Sequence, residues 1–302
     1  KRKLINEMII NIKSVFKERL KKLEWMTEST KKKAIIKLQK MNFKIGHPKK
    51  WENFDKLRVK PSNSYLENII ECFKYEFNYM ISKCYQPSDK NRWYMTPHTV
   101  NAYYDPTQNE MAFPAGIFQY PFFDEKNMAL SYGSIGQIIG HEITHGFDDQ
   151  GSHYNATGEL ENWWNETDRT KFKKQTNSLV KQYDSYKFHN VHVNGSLTLG
   201  ENIADLGGLI ITYYAFQKYM KKNKVKNLNN NQEKQLFYFW ANMWKTKMTK
   251  KALINRINTD PHSPAKVRVN GVVTNVTEFY DIFNVQPNHK LYKKEDDRIK
   301  IW

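Results

Sequence analysis

Cysteine is scarce in this sequence, and a long apolar run is absent. Only Cys72 and Cys84 occur among the 302 residues, so they can form at most one disulfide, and their spacing fits no metal motif. Two thiols are too few for a disulfide framework, which favours a reducing compartment. No apolar run approaches the roughly 20 residues that cross a bilayer. The first ten residues, KRKLINEMII, mix charged with apolar residues, unlike a signal peptide.

Acidic residues are also in short supply. The chain has 31 Asp and Glu against 48 Lys and Arg, which gives a net charge of +17. Such an excess can attract nucleic acid or an anionic membrane, but heavy use of lysine and asparagine, as in the run 221–231, accounts for it equally well. We expect no nucleic-acid partner, because no aromatic-and-basic RNA-binding pattern or basic zipper occurs. We expect the run 221–231 to form a surface loop.

Helical periodicity dominates the sequence, and its 39% of hydrophobic residues is typical of a folded globular protein. Apolar residues recur at helical spacing over residues 4–16 and 34–41, and the Gly-His-Pro at 46–48 ends that pattern. The same criteria predict further helices over residues 65–85, 127–147, 200–219, 233–248 and 250–258.

Strand signals are few and short. Residues 100–104 and 111–113 flank the turn sequence DPTQN, which predicts a hairpin. A second hairpin is expected around Asn194-Gly195, and the segment from Val267 onward is expected to form a strand, a turn and a short helix. Together these signals predict an α+β fold that is predominantly helical.

The segment HEITH, at residues 141–145, carries the chemistry of the helix predicted over residues 127–147. His141 and His145 are four residues apart and therefore lie on one helical face. Both imidazoles can then reach one metal ion at about 2.0–2.1 Å. Glu142 lies ~100° around the helix, where a general base for a metal-bound water belongs. A helix that merely carries two histidines and a glutamate remains an alternative for this motif alone.

A catalytic zinc site needs a third protein ligand and an open fourth position. The segment GENIAD at residues 200–205 offers Glu201 and Asp205, again four residues apart on a helix. Glu201 can bind the metal while Asp205 accepts the free ring N–H of a ligand histidine, which fixes its tautomer. The alternative for Glu201 is a capping box with Thr198, but it leaves Asp205 unexplained.

The segments HEITHGFDD and GENIADLGG resemble those of the neprilysin family of zinc metallopeptidases, also called M13. The resemblance covers nearly the whole chain and also includes WM at 25–26, VNAYY at 100–104, FPAGI at 113–117, NWW at 162–164, DPHSP at 260–264 and the C-terminal Trp302. It implies a thermolysin-like zincin catalytic domain with a small edge-strand β element over residues 51–302. It also implies that residues 1–50 are the helical end of a second, capping lobe that is otherwise largely absent.

The resemblance implies a catalytic role for each matching residue. His141, His145 and Glu201 would bind one Zn²⁺ ion per chain. Glu142 would be the general base, and Asp205 would orient a ligand histidine.

The resemblance also implies how a peptide is held. His262, supported by Asp260, would stabilise the charged tetrahedral intermediate, and Arg268 would bind a substrate carbonyl. Asn101 and Ala102 would hold the peptide backbone. A set of apolar residues would form the pocket for the residue after the scissile bond: Ile117, Phe122, Ile138, Met243 and Trp244.

The resemblance therefore implies a zinc-dependent endopeptidase that hydrolyses oligopeptides, with a preference for a large apolar residue after the scissile bond. Gln137 is a departure, because a mammalian relative has an apolar residue at that position. The alternatives are a non-catalytic peptide-binding module and an inactive fragment of such a peptidase.

Cysteine positions suggest a location for the protein. Animal members of the family are membrane-anchored ectodomains with several disulfides, but three of their cysteine positions hold Ser178, Val285 and Ile299 here. In this respect the chain is most similar to the disulfide-free bacterial endopeptidases. We therefore expect a cytoplasmic protein, and the alternative is a secreted or membrane-anchored ectodomain whose anchor is missing from this chain.

Overall fold

The computed structural model describes residues 1–223 and 230–302, in two compact units. One unit contains residues 1–46 and 97–302, and the other contains residues 47–96. Most of the run 221–231, which was expected to be a surface loop, lies outside the described residues. The division into a capping-lobe end at 1–50 and a catalytic domain at 51–302 stays a prediction.

Helices make up most of the described chain, which confirms the predominantly helical α+β class. They are α1 Arg2–Lys22, α2 Glu28–Lys40, α3 Tyr65–Lys83, α4 Met128–Ser131, α5 Gln137–His145, α6 Glu166–Asp184, α7 Leu199–Lys222, α8 Asn230–Met243, α9 Lys250–Thr259, α10 Ala265–Val273 and α11 Thr277–Phe283. Within the described ranges, no helix is both long enough and apolar enough to cross a membrane.

Every helix expected from periodicity is present, with one interruption. The helix predicted over residues 127–147 consists of α4, a π-helical segment over Tyr132–Gly136, and α5. Gly133 in this segment lies close to α8: a Cβ atom built on it would be 2.3 Å from the backbone oxygen of Leu236, so a larger residue would not fit there. The helix α6 had no counterpart among the sequence predictions.

The strand predicted from Val267 onward was wrong, whereas the short helix predicted after it is present as α11. Residues from Val267 onward form no strand in the described structure; instead α10 and α11 follow each other. The β-branched residues Val267, Val272 and Val273 favour a strand by intrinsic propensity, but all three are buried on the helix α10. Packing of an apolar helical face has therefore overridden the intrinsic β-propensity of valine.

The second hairpin was predicted a few residues too late. It is formed by β4 Lys187–Phe188 and β5 Val191–His192, and its turn residues His189 and Asn190 have φ angles of 47° and 69°. Such left-handed angles at both positions match a tight two-residue hairpin turn. The side chain of Asn194 instead accepts a hydrogen bond from the backbone N–H of Leu197 and so helps lead the chain into α7.

The first hairpin is confirmed and belongs to a three-stranded sheet. The strands are β1 Asn42–Gly46, β2 Tyr103–Asp105 and β3 Glu110–Pro114, in the order β1-β3-β2. β1 pairs parallel with β3, and β2 pairs antiparallel with β3, so β2 lies at one edge. β2 begins later than the predicted strand 100–104 and covers residues 103–105. Continuing its register backwards would place residue 101 opposite Pro114, which has no N–H to donate.

The unit of residues 47–96 is built around α3. Ser64 and Glu67 form a capping box at its start, and α3 has no buried residue. Both Cys72 and Cys84 are free.

The close contact between α5 and α7 is made by glycine. A Cβ atom built on Gly140 of α5 would lie 2.7 Å from both the backbone oxygen of Gly208 and Oγ1 of Thr212. A Cβ atom built on Gly208 of α7 would lie 2.6 Å from the backbone nitrogen of His141. The backbones therefore approach as closely as they do only because these positions lack a side chain.

Substitution of Gly208 by alanine tests this packing. We expect Gly208→Ala to lower the free energy of unfolding by about 1–3 kcal/mol, as overpacking does. If His141 binds zinc, as the resemblance implies, the variant is also expected to weaken zinc binding, because it pushes α7 away from His141. Urea unfolding and zinc titration measure the two effects. The exposed Lys222→Ala at the end of the same helix is the control, and unchanged stability and zinc affinity in Gly208→Ala would contradict the prediction.

Candidate metal centre and peptide cleft

Two histidines of α5 face each other across a small gap. The Nε2 atoms of His141 and His145 lie 2.9 Å apart. On the opposite side of each ring, Nδ1 of His141 lies 2.8 Å from Asp205, and Nδ1 of His145 lies 2.7 Å from Asp148. When each Nδ1–H donates to its carboxylate, the neutral rings turn two Nε2 lone pairs towards each other. Such lone pairs repel unless a cation, either a proton or a metal ion, lies between them.

Glu201, in the first turn of α7, completes this group. Its carboxylate oxygens lie 3.2 Å from Nε2 of His141 and 3.6 Å from Nε2 of His145. One of them, Oε2, is buried and has no hydrogen-bond partner in the described part of the chain. A buried carboxylate oxygen without a partner is costly unless a cation binds it. The ligand atoms of the three residues lie within 4.8 Å of one another, and two imidazoles with one carboxylate suit a single zinc ion with an open fourth position.

The capping-box alternative for Glu201 is not what the structure shows. Thr198 occupies the N-cap position of α7 but makes no side-chain cap hydrogen bond there. Its hydroxyl donates instead to the backbone oxygen of Asn194 and accepts from the side chain of Asn202. The carboxylate of Glu201 is thus not used in a capping box, and Glu201 lines the cavity instead.

Asp205 is a buried carboxylate held by two cationic groups. Besides its bond to His141, it accepts from Nε and Nη2 of Arg268, both at 2.7 Å. Burial alone would raise the pKa of Asp205, but the charge of Arg268 and the hydrogen bond from His141 lower it to about 2. Before a metal binds, burial opposes charge on His141, but its hydrogen bond to Asp205 and the negative charge of nearby Glu201 raise its pKa to about 10. The centre therefore attracts positive charge, and a metal ion must displace a proton from it.

Asp148 is a functional candidate that the sequence analysis did not identify. Its Oδ2 accepts from His145, while its Oδ1 accepts from the backbone N–H groups of Gln150 and Gly151 at 2.9 and 2.6 Å. A signal was available, because Asp148 follows His145 by only three residues, although α5 ends at His145 and Asp148 lies in the turn after it. Each histidine is thus oriented by its own carboxylate.

Glu142 lies beside the histidines but outside the group of three ligands. It is buried and lines the same cavity. Burial raises the pKa of its carboxyl group, although the neighbouring histidines oppose that effect. A carboxylate with a raised pKa is a stronger base than an exposed glutamate and suits proton transfer near neutral pH.

His262 approaches the centre from another part of the chain. Its Nδ1 lies 2.7 Å from Oδ1 of Asp260, which also accepts its backbone N–H at 2.8 Å. Its Nε2 faces the centre, 3.2 Å from Oε2 of Glu201. Arg268 lines the same cavity and packs over the ring of Trp244 at 3.9 Å, while its Nε and Nη2 are committed to Asp205. Its expected contact with a substrate carbonyl stays a prediction.

The metal group opens onto a cavity of about 600 Å³. Asn101 and Ala102 line it just before the edge strand β2. The predicted apolar pocket residues line it as well: Ile117, Phe122, Ile138, Met243 and Trp244. The structure therefore brings every predicted substrate-binding residue to one cavity, although their individual roles stay predictions.

Removal of the carboxylate behind His145 tests the centre. We expect Asp148→Asn to weaken zinc binding about 10–100-fold, as the loss of partners behind ligand histidines typically does. Competition with a chromogenic chelator measures the affinity. The control is the neighbouring Asp149→Asn, which removes a charge but no hydrogen bond to a histidine, and equal losses in both variants would contradict the prediction.

Comparison with known proteins gives the centre a context. The sequence model of peptidase family M13 matches residues 101–299, and a second model with the same family description matches residues 1–48. The chain is 40% identical over 295 residues to an endothelin-converting enzyme homolog of Locusta migratoria, covering 94% of this chain and 41% of that protein. It is 37% identical over 300 residues to a neutral endopeptidase of Lactobacillus helveticus, covering 99% of this chain and 45% of that protein.

Solved structures agree with this result. The zinc metalloprotease ZMP1 of Mycobacterium tuberculosis matches with a TM-score of 0.94 and 39% identity, covering 99% of this chain and 47% of ZMP1. PepO of Lactobacillus rhamnosis matches with a TM-score of 0.93 and 32% identity, covering 100% of this chain and 47% of PepO. The chain thus spans less than half the length of these relatives. With a histidine and glutamate group fit for one zinc ion and the family model matching most of its length, the chain belongs to peptidase family M13.

Proposed function

We propose that the protein is a zinc-dependent endopeptidase that hydrolyses oligopeptides. The observation that carries this proposal is the position of Glu142, a buried carboxylate that lines the same cavity as the three metal ligands without belonging to them. A group that only bound a structural metal would need no such base and no open cavity.

The chemistry divides between the ion and the side chains. Zinc, when it is held by His141, His145 and Glu201, supplies Lewis acidity for a carbonyl and lowers the pKa of water to about 7. Glu142 then accepts a proton from the attacking water and delivers it to the leaving amine. Nε2 of His262, which faces the centre, donates to the oxyanion when it is protonated, and one such donor is typically worth about 10²–10³ in rate.

The cleft offers a peptide two kinds of contact. The edge strand β2 and the preceding Asn101 and Ala102 provide backbone groups for an extended peptide, whose main-chain hydrogen bonds do not depend on its sequence. The second contact is an apolar wall, by which we mean Ile117, Phe122, Ile138, Met243 and Trp244. This wall receives the large side chain of the residue after the scissile bond. We propose that this wall sets the side-chain preference.

We further propose a cytoplasmic location and no nucleic-acid partner. The two free cysteines support the proposed location, because they suit a reducing compartment. Thiol labelling of fractionated cells tests it, and recovery of the protein in a secreted or membrane fraction would contradict it.

Glu142→Gln separates catalysis from metal binding. We expect this variant to keep one zinc ion per chain and to lose about 10²–10⁴ in kcat/KM, because the amide cannot accept the proton. Metal analysis and peptide hydrolysis assays measure the two quantities, and the exposed Glu24→Gln is the control. Full activity in Glu142→Gln would sink the proposed mechanism.

Metal removal tests the proposal without a mutation. Incubation with a zinc chelator is expected to abolish cleavage of a mixture of oligopeptides, and added zinc is expected to restore it. Mass analysis of the products reports activity and the residue after each cut. Zinc bound without any cleavage would support the alternatives, a peptide-binding module or an inactive fragment.

A further inference from the structure

Gln137 is a buried polar residue that lines the same cavity as the predicted apolar pocket residues. It is the first residue of α5 and lies one helical turn before His141, on the same face. Its side chain is fully buried, at 0% exposure, yet it lines the cavity. Neither Oε1 nor Nε2 of its carboxamide has a hydrogen-bond partner among the described residues.

An unsatisfied buried carboxamide is unusual enough to need an explanation. Native proteins leave few buried polar groups without a partner, and a methionine would fill a similar volume at this site without that cost. Apolar side chains line the same cavity: Ile117, Phe122, Ile138 and Met243. The packing of the free protein therefore does not account for a glutamine here, whereas a ligand group that bonds the carboxamide would.

A second unsatisfied donor lines the same cavity. Nε1 of Trp244 is buried and has no partner in the parts of the chain that the structure describes, while the face of its ring is covered by Arg268. Several wall residues are only partly buried, so rotamer changes can admit an entering side chain: Phe122, Ile138, Met243 and Trp244. The cavity lining thus combines apolar side chains with two polar groups: the carboxamide of Gln137, which can donate and accept a hydrogen bond, and the indole N–H of Trp244, which can donate one.

We propose that Gln137 makes this subsite select a large side chain that carries a hydrogen-bonding group, such as tyrosine or glutamine, over the hydrocarbon side chain of the same size. The inference rests on the proposed peptidase function and narrows its preference for the residue after the scissile bond. Its physical basis is that a site built to bond a hydroxyl or amide leaves its own group unpaired when the analogue without that group binds.

Equilibrium binding tests the inference without turnover. The zinc-loaded Glu142→Gln chain is titrated with two oligopeptides that differ only in tyrosine or phenylalanine after the scissile bond. We expect the tyrosine peptide to bind about ten-fold more tightly, which corresponds to about 1.4 kcal/mol. Adding Gln137→Met is expected to remove the difference. The matched control is Gln150→Met, since Gln150 lines the same cavity but already bonds Asp149, and it is expected to leave the ratio unchanged.

Thermal unfolding of the peptide-free protein gives a second, independent result. Gln137→Met is expected to raise Tm, because it removes a buried polar group without a partner, and Gln137→Leu serves if the methionine variant folds poorly. A lowered Tm in both would show that the carboxamide is satisfied within the protein and would overturn the inference. Equal binding of the two peptides, or a ratio that persists in Gln137→Met, would overturn it as well. If neither peptide binds, the proposed peptidase function fails, and the inference fails with it.

Discussion

The contact between α5 and α7 is the constraint on which the rest of the centre depends. One helix carries two histidines and Glu142, and the other carries Glu201 and Asp205. Zinc–ligand distances tolerate deviations of only about 0.2 Å, so the two helices must be held at a fixed separation. Glycine at the contact allows backbone to lie against backbone, and the close packing of protein interiors then keeps the helices from drifting.

Electrostatics complements this packing. The centre collects buried carboxylates around two imidazoles, with Arg268 as a neighbouring fixed cation. Burying so many acids is unfavourable unless positive charge compensates them. The orientation of each histidine by its own carboxylate, from Asp205 or Asp148, leaves the other ring nitrogen for a metal ion. The centre is therefore preorganised for a cation by hydrogen bonds on the far side of each ring.

The cleft combines an unselective part with a selective one. In the proposed function, backbone groups beside β2 hold any extended peptide, whereas the proposed subsite at Gln137 and Trp244 distinguishes side chains. A buried carboxamide without a partner works against stability, and departures of this kind from good packing are expected where a protein meets its ligand. Gln137 is such a departure, because it is a buried polar residue without a hydrogen-bond partner in the described part of the chain, one helical turn before His141.

The sequence by itself predicted most of the helices, though not α6 or α10, together with the first hairpin and the group of His141, His145 and Glu201 that could hold a metal ion. It could do so because helical periodicity and the four-residue spacing of HEITH and GENIAD are local properties of the chain. It failed for the segment after Val267, where valine favours a strand locally but packing selects a helix. Only the tertiary structure decided that Arg268 holds Asp205 and that the carboxamide of Gln137 has no partner among the described residues. Those facts depend on which side chains meet after the helices pack, and residue spacing along the chain does not encode such meetings.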